Sequence, residues 1–295
     1  MVLPLLLTGF TSVPAPEAPV YSGRGGQVQV AIPRLDESVA VDGLLDEAPW
    51  SRAARLTGFS QYSPVDGRPA ENETELLVWY SATAIHFGVR ARAAPGSVRA
   101  ALADRDKIDA DDQVQLFLGT FNDGKQAWMF AVNPLGVQAD GALTEGTSRS
   151  GNGFGGLEAS REQTDLAPDF VFESKGRLTP LGYEVELRIP FKTLRYRKAE
   201  SQDWALHVLR KVQSSGHEES WVPARRAAAS FLAQSGTLTG LTDLRAGLVL
   251  DLNPVATART SGTQGDGAWR YDTATPELGG NVRWGVTPNL TLNGT

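Results

Sequence analysis

The sequence contains no cysteine. No disulfide framework and no thiolate-ligated metal site can form, so packing and backbone hydrogen bonds alone must hold the fold. Basic residues do not predominate either. Lys and Arg number 28 against 34 Asp and Glu, a formal net charge of -6, and no basic stripe of the kind that meets nucleic acid stands out. Histidine occurs three times. His86 and His207 lie in apolar strand-like runs, and His217 lies in the polar turn Ser214-Ser-Gly-His-Glu-Glu219. None belongs to a Gly-x-Ser-x-Gly, His-Glu-x-x-His or phosphate-loop motif. Glu184 and Glu186 share one strand face, but a glycosidase pair must flank a cleft. Alternating polar positions on a solvent-facing sheet account for them better. The chain is therefore read as non-enzymatic, with a glycoside hydrolase the weakest alternative.

The N-terminal apolar run, residues 1–10, is too short to cross a bilayer as a helix. It has the character of the apolar region of an export signal, with Val13-Pro14-Ala15 as a small-residue cleavage candidate. No Lys or Arg precedes it, and a disordered tail is the other reading. Residues 11–27 are rich in Pro, Gly and Ser and read as a linker. Residues 1–27 are thus expected to be an export signal and linker, which places the protein in the cell envelope.

What the chain has in quantity is short apolar runs punctuated by turn residues, with 31 Gly and 17 Pro. Val28, Val30 and Ile32 begin a strand rhythm. Residues 74–80 and 84–91 form a candidate hairpin. Val114, Leu116 and Leu118 alternate with Gln113, Gln115 and Phe117. Asn122-Asp-Gly124 is a strong turn signal before a strand over 126–133. Further strands are expected at 170–174, 183–189 and 204–212, and Pro190 ends the second of these. One short helical turn is expected at 46–54, where Glu47-Ala-Pro-Trp50 places a Pro near its start. Strands at this density without a long helix predict an all-β antiparallel sandwich over residues 28–245.

The pattern changes near residue 246. Leu248, Leu250 and Leu252 alternate with Val249, Asp251 and Asn253; Val282, Trp284 and Val286 alternate with Asn281, Arg283 and Gly285. Dyad alternation over about ten residues with aromatics near the ends is the mark of outer-membrane-type β-barrel strands. Residues 246–295 are expected to be the first strands of such a barrel, incomplete in this chain, which would tie the protein to the outer membrane. Joining the sandwich is the competing expectation for them.

The segment Val41-Asp-Gly-Leu-Leu-Asp-Glu-Ala-Pro-Trp50 resembles the opening of family 9 carbohydrate-binding modules. Asp42-Gly43 supplies a turn, and Trp50 a large anchor, so Asp42, Gly43 and Trp50 are read as structural. Asp111-Asp112-Gln-Val-Gln-Leu-Phe-Leu118, Phe130-Ala-Val-Asn133, Gly182-Tyr-Glu-Val-Glu-Leu-Arg-Ile-Pro190 and Ser235-Gly-Thr-Leu238 keep the same family's order. The resemblance covers about residues 30–245. Phe59-Ser-Gln-Tyr-Ser-Pro-Val-Asp-Gly67, Asn133-Pro-Leu-Gly-Val-Gln-Ala-Asp-Gly141 and residues 178–197 are also similar to an uncharacterised bacterial family in which such a domain precedes an outer-membrane barrel.

The resemblance implies a glycan partner held by a tryptophan clamp. At the clamp positions this chain has no aromatic in Asp104-Arg-Asp-Lys-Ile-Asp-Ala-Asp111, only Phe231 in the later loop, and Ala131 in place of an Arg. Gln115, Asn133 and Phe231 are the candidate ligand residues that remain. Within the acidic run Asp104, Asp106, Asp109, Asp111 and Asp112, the resemblance raises Asp109, Asp111 and Asp112 as ligands for a structural Ca²⁺, which wants six to eight oxygens. A solvated acidic loop is the alternative. Two functions stay open: a carbohydrate-binding surface domain of an outer-membrane protein, with a role in polysaccharide binding or breakdown, or a docking, plug-like sandwich that has lost sugar binding and contacts its barrel or a partner protein.

Overall fold

A strand shows alternate side chains to the two sides of its sheet, so the period-two runs above create faces that must pair. A computed structural model describes residues 18–146, 164–245, 247, 249–287 and 290–295. The signal-like run and Val13-Pro14-Ala15 lie outside the described residues. The chain forms β1 (Val20–Ser22), β2 (Gln29–Ala31), the single-turn helix α1 (Ala48–Arg52), β3 (Ala54–Thr57), β4 (Ser60–Ser63), β5 (Thr74–Tyr80), β6 (Ala84–Arg92) and β7 (Gln113–Gly119). It continues through β8 (Gln126–Val132), β9 (Gln138–Thr144), β10 (Glu173–Thr179), β11 (Gly182–Pro190), β12 (Ser201–Val212), β13 (His217–Ser220) and β14 (Gly236–Thr242). One sheet runs in the order β1-β3-β5-β6-β11-β10. The other runs β2-β14-β12-β7-β8-β9, with β13 against β12 and β4 against β13. The protein is an all-β sandwich: Leu76, Val78, Phe87, Val89, Val185 and Leu187 of the first sheet share one buried core with Val114, Leu116, Phe130, Leu206, Val208 and Leu238 of the second.

One charge crosses this apolar layer. Arg210, on β12 of the second sheet, is fully buried. Its guanidinium donates to Thr74 Oγ1 at 2.8 Å and to the Arg92 carbonyl at 2.6 Å, both in the first sheet. It also lies 3.8 Å from the Glu219 carboxylate and 5.6 Å from the centroid of the Tyr183 ring. These bonds meet part of the donor set that a buried guanidinium needs satisfied, and its Nε is left without a hydrogen-bond partner among the described residues. Burial raises the pKa of Glu219, with Arg210 opposing, and pushes the Tyr183 phenol up to about 12.

Several elements differ from the sequence expectation. The sandwich begins before residue 28, because Val20–Ser22 pairs in parallel with Arg55, Leu56 and Thr57; the linker reading fails for this stretch. The strand expected at 170–174 starts at Glu173 instead. Phe170 and Phe172 are buried side chains that pack on Phe130, with ring centroids 5.3 and 5.2 Å away. The polar segment around His217 is not an exposed turn but β13, since it has strand partners on both sides in β12 and β4. Glu186 is not on a solvent-facing surface: it is fully buried under residues 42–50.

The C-terminal part forms separate sheets. β15 (Val249–Arg259), β18 (Thr275–Thr287) and β19 (Leu290–Gly294) make one, and the short β16 (Gly262–Gly265) and β17 (Ala268–Tyr271) make a two-stranded extension between β15 and β18. Among the described residues no strand of this part joins a sandwich sheet. The register sorts its faces. Leu252 is opposite Val282, Ala256 opposite Leu278, and Trp284 opposite Leu292. On the other side Asn253 is opposite Asn281, Thr257 opposite Glu277, and Arg283 opposite Asn293, with Val255 the apolar exception. The apolar side is uncovered: Leu278 is 86% exposed, Leu252 63% and Leu292 52%.

Trp50 is 2% exposed and meets Trp79 edge-on, with ring centroids 5.9 Å apart. Together with Leu45, Ala53 and Leu77 it forms a separate apolar cluster on the outer side of the first sheet. Trp50→Ala is expected to destabilise the sandwich by about 3–5 kcal/mol, the usual cost of deleting a buried large aromatic. Urea denaturation of the variant beside the parent measures it, and a loss under about 1 kcal/mol would mean that the cluster does not hold this segment down.

Candidate ligand-binding site

The outer face of the second sheet is where the candidate ligand residues fall. Outward positions on β7 are Gln113, Gln115 and Phe117, which stand beside Lys211, Leu209 and His207 of β12. Tyr62 of β4 and Ala224, Phe231 and Leu232 of the segment 223–235 pack on this face with Phe117. Phe231 from that segment stacks on His207, with centroids 4.0 Å apart and an interplanar angle of 14°, and meets Phe117 and Tyr62 edge-on. It is 5% exposed. A pyranose needs an open aromatic face, and Phe231 is instead part of a second apolar layer. Asn133 is fully buried. Its Nδ2 donates to the Ala101 carbonyl and to Asp111 Oδ2, and its Oδ1 accepts from the Leu135 and Val137 N–H groups. Every bond that its amide commonly makes is used inside the protein, so Asn133 staples a turn and offers nothing to a ligand. Gln115 is half-buried, with its Nε2 donating to Gln113 Oε1 at 3.0 Å. Of the three, only Gln115 keeps some access to solvent.

The proposed calcium ligands do not fit a shared ion. The Asp109 side chain is exposed, and it is its backbone carbonyl that is used, by Lys211 and Gln213. Asp111 holds Asn133. The Asp112 carboxylate accepts from the Gln213 and Arg99 N–H groups, and burial raises its pKa against those bonds. The carboxylates that do converge, among the described residues, are Asp106, Asp140 and Asp169, with oxygens within 4.8 Å of one another. Arg105 already stands there as the cation: its Nε donates to Asp140 Oδ1 at 2.8 Å and lies 3.8 Å from Asp169.

The outer face of the first sheet explains the Asp42-Gly43 motif. Glu186 Oε2 accepts from the N–H groups of Asp42 and Gly43, at 3.0 and 3.1 Å. Gly43 has φ +87°, in the left-handed region that favours glycine. Asp42 Oδ1 accepts from the Leu44 N–H and locks the turn. Glu186 Oε1 and Glu47 Oε2 are buried without a hydrogen-bond partner. Burial, with Glu47 and Asp42 nearby, pushes the Glu186 carboxyl up to about 7, against the two backbone donors.

Beside this turn lies a cavity of about 320 Å³ lined by Asp36, Glu37, Ser38, Ser81, Thr83, His86 and Arg188, among others. His86 is 3% exposed and lies flat on Trp79, with centroids 3.8 Å apart. Its Nδ1 has no partner, and burial, helped by Arg188, pushes its pKa down to about 3, so the ring is neutral at ordinary pH. Each charged group around the cavity is compensated: Asp36 by Arg34, Glu37 by Arg52, and Arg188 by Glu173. The lining thus combines paired charges with the hydroxyls of Ser38, Ser81 and Thr83 and the edge of a buried, neutral imidazole. The sequence singled out none of these cavity residues as a site. The signal was there in the hairpin register, which sets Trp79 opposite His86.

No protein-family model matches the chain, and none of the curated proteins does. Solved structures similar to it in outline include a family 9 carbohydrate-binding module from Caldicellulosiruptor kristjanssonii in complex with cellotriose, at 14% identity over 73% of this chain and 95% of that one, TM-score 0.47. The family 9 module of that organism in complex with glucose aligns at 14% identity over 73% and 97%, TM-score 0.46. A candidate carbohydrate-binding protein from Bacteroides uniformis aligns at 16% identity over 72% and 98%, TM-score 0.48.

Glu186 gives this face a pH signature. Between an unfolded value near 4.5 and a folded value of about 7, the folded state keeps a proton that the unfolded chain has lost. The stability it contributes is therefore complete below about pH 4.5 and is lost as the pH rises through about 7. Glu186→Gln is expected to gain stability relative to the parent progressively over that interval, with no further gain above it. Denaturation curves from about pH 4 to about pH 8 show this as diverging profiles. Parallel profiles would place the Glu186 carboxyl in contact with water.

Proposed function

We propose that the chain is a binding domain of the carbohydrate-binding-module type belonging to a bacterial outer-membrane protein, with residues 249–294 as strands of the barrel that anchors it. The observation that carries this reading is the sorting of faces in the sheet β15-β18-β19. A sheet in water covers its apolar face with a helix, a loop or a second sheet, whereas here Leu252, Leu278, Val282, Trp284 and Leu292 stand uncovered on one side. Strands of 11 and 13 residues are long enough for a tilted passage through the hydrocarbon layer. Lipid is the cover that suits them, and closing a barrel takes eight strands or more.

The binding role rests on two supports. The segments that resemble family 9 modules fall on β7, β8, β11 and β14 in that family's order, and the cavity of about 320 Å³ beside His86 offers hydroxyls and paired charges to a polar ligand. A second reading is favoured by the internal use of Phe231 and Asn133: a docking or plug-like sandwich in which the sugar clamp has become core. Calorimetric titration of residues 18–245 with mono- and oligosaccharides at millimolar concentration separates the two. A saturable heat is expected, weakened roughly 10-fold or more by His86→Ala if the ring loses a hydrogen bond to the ligand. The absence of heat with every sugar would end the glycan reading and leave docking.

A further inference from the structure

We infer that the sandwich faces the periplasm and not the cell exterior, an inference that rests on the barrel reading above. The chain is still part of the sandwich at Arg245, whose N–H donates to the Ala82 carbonyl at 2.8 Å, and it enters β15 at Val249. Four residues of fully extended chain reach at most about 14 Å, and the apolar band of a barrel is about 25 Å tall. The sandwich must therefore lie at the membrane face where β15 begins.

The register shows which face that is. Val249 pairs with Gly285, close to the end of β18 at Thr287, and β19 starts again at Leu290. This end of the sheet carries a short connection. At the other end Arg259 pairs with Thr275, and the chain between them runs out and back as β16 and β17. Asp266 and Gly267 turn its tip in the left-handed region, with φ 48° and 79°. Outer-membrane barrels join their strands by short turns on the periplasmic side and by longer loops outside. The end with the short connection, where the sandwich is attached, is thus the periplasmic one, and the tip at Asp266 points outward. Aromatic residues fit this frame. Trp284 lies toward the sandwich end, and the exposed Tyr271, paired with Gly262, lies just past the apolar stretch at the other. These are places for the two interfacial girdles. A ligand of the sandwich is then a glycan present in, or delivered into, the periplasm.

Residues 1–295 contain no cysteine, so a single thiol can be placed in either part and its labelling compared with that of the unsubstituted protein. Asp266→Cys and Leu102→Cys, the latter on an 84% exposed sandwich residue, are introduced singly into the protein in the outer membrane of whole cells. A membrane-impermeant maleimide is expected to label Asp266→Cys in intact cells and Leu102→Cys only after the outer membrane is permeabilised. Labelling of Leu102→Cys in intact cells, or protection of Asp266→Cys there, overturns the orientation alone. Absence of the protein from the outer-membrane fraction overturns the barrel reading and the orientation with it.

Discussion

Every strand in this chain has two sides, and an apolar side needs a cover other than water. The sandwich meets that demand three times over. The inner faces of its two sheets cover each other. The outer face of the first sheet is covered by the segment that ends in Trp50, and the outer face of the second by Phe231, Leu232 and Tyr62 from flanking segments. The sheet β15-β18-β19 has the same alternation, and among the described residues nothing covers its apolar side. The two parts share their strand chemistry and differ in whether the apolar faces are covered within the described residues; on the reading proposed above, lipid covers the second.

Burying both the inner and the outer faces of the sheets has a cost in polar groups. Arg210 is buried between the sheets and bonds strands of the opposite sheet. Glu186 is buried beneath the Asp42-Gly43 turn with one oxygen unmet, and His86 is buried neutral on Trp79. Groups of this kind weaken a fold unless their partners are well placed. Arg210 bonds Thr74 and Arg92 of the opposite sheet and reads as part of the scaffold, with its Nε unmet among the described residues. The unmet atoms of Glu186, Glu47 and His86 lie beside one turn and one cavity on the outer side of the first sheet, and that side, not the expected clamp, is the candidate site.

Much of the sandwich was legible from local pattern. β7, β8, β11 and β12 alternate strongly, Asn122-Asp-Gly124 marks its turn, and the helical turn at Trp50 follows from Pro49. β4, with Ser-Gln-Tyr-Ser, and β13, with His-Glu-Glu-Ser, carry no such pattern, because their place is set by partners far away in sequence. The site was less legible for the same reason. Alternation shows that Glu186 points away from the core, but not that residues 42–50 return to bury it. Likewise Phe231 is aromatic and in a loop, yet only the fold shows His207 and Phe117 taking up its faces.

The central claim of the proposed function is that apolar alternation serves two environments in one chain, a protein interior up to Arg245 and lipid beyond it. An environment-sensitive fluorophore on single cysteines tests this most directly, placed at Leu252 and Leu278 on one side of the C-terminal sheet and at Asn253 and Asn281 on the other. In detergent micelles, emission is expected to shift to the blue at Leu252 and Leu278 and to stay unchanged at Asn253 and Asn281. Equal response at all four positions would contradict a lipid-facing side.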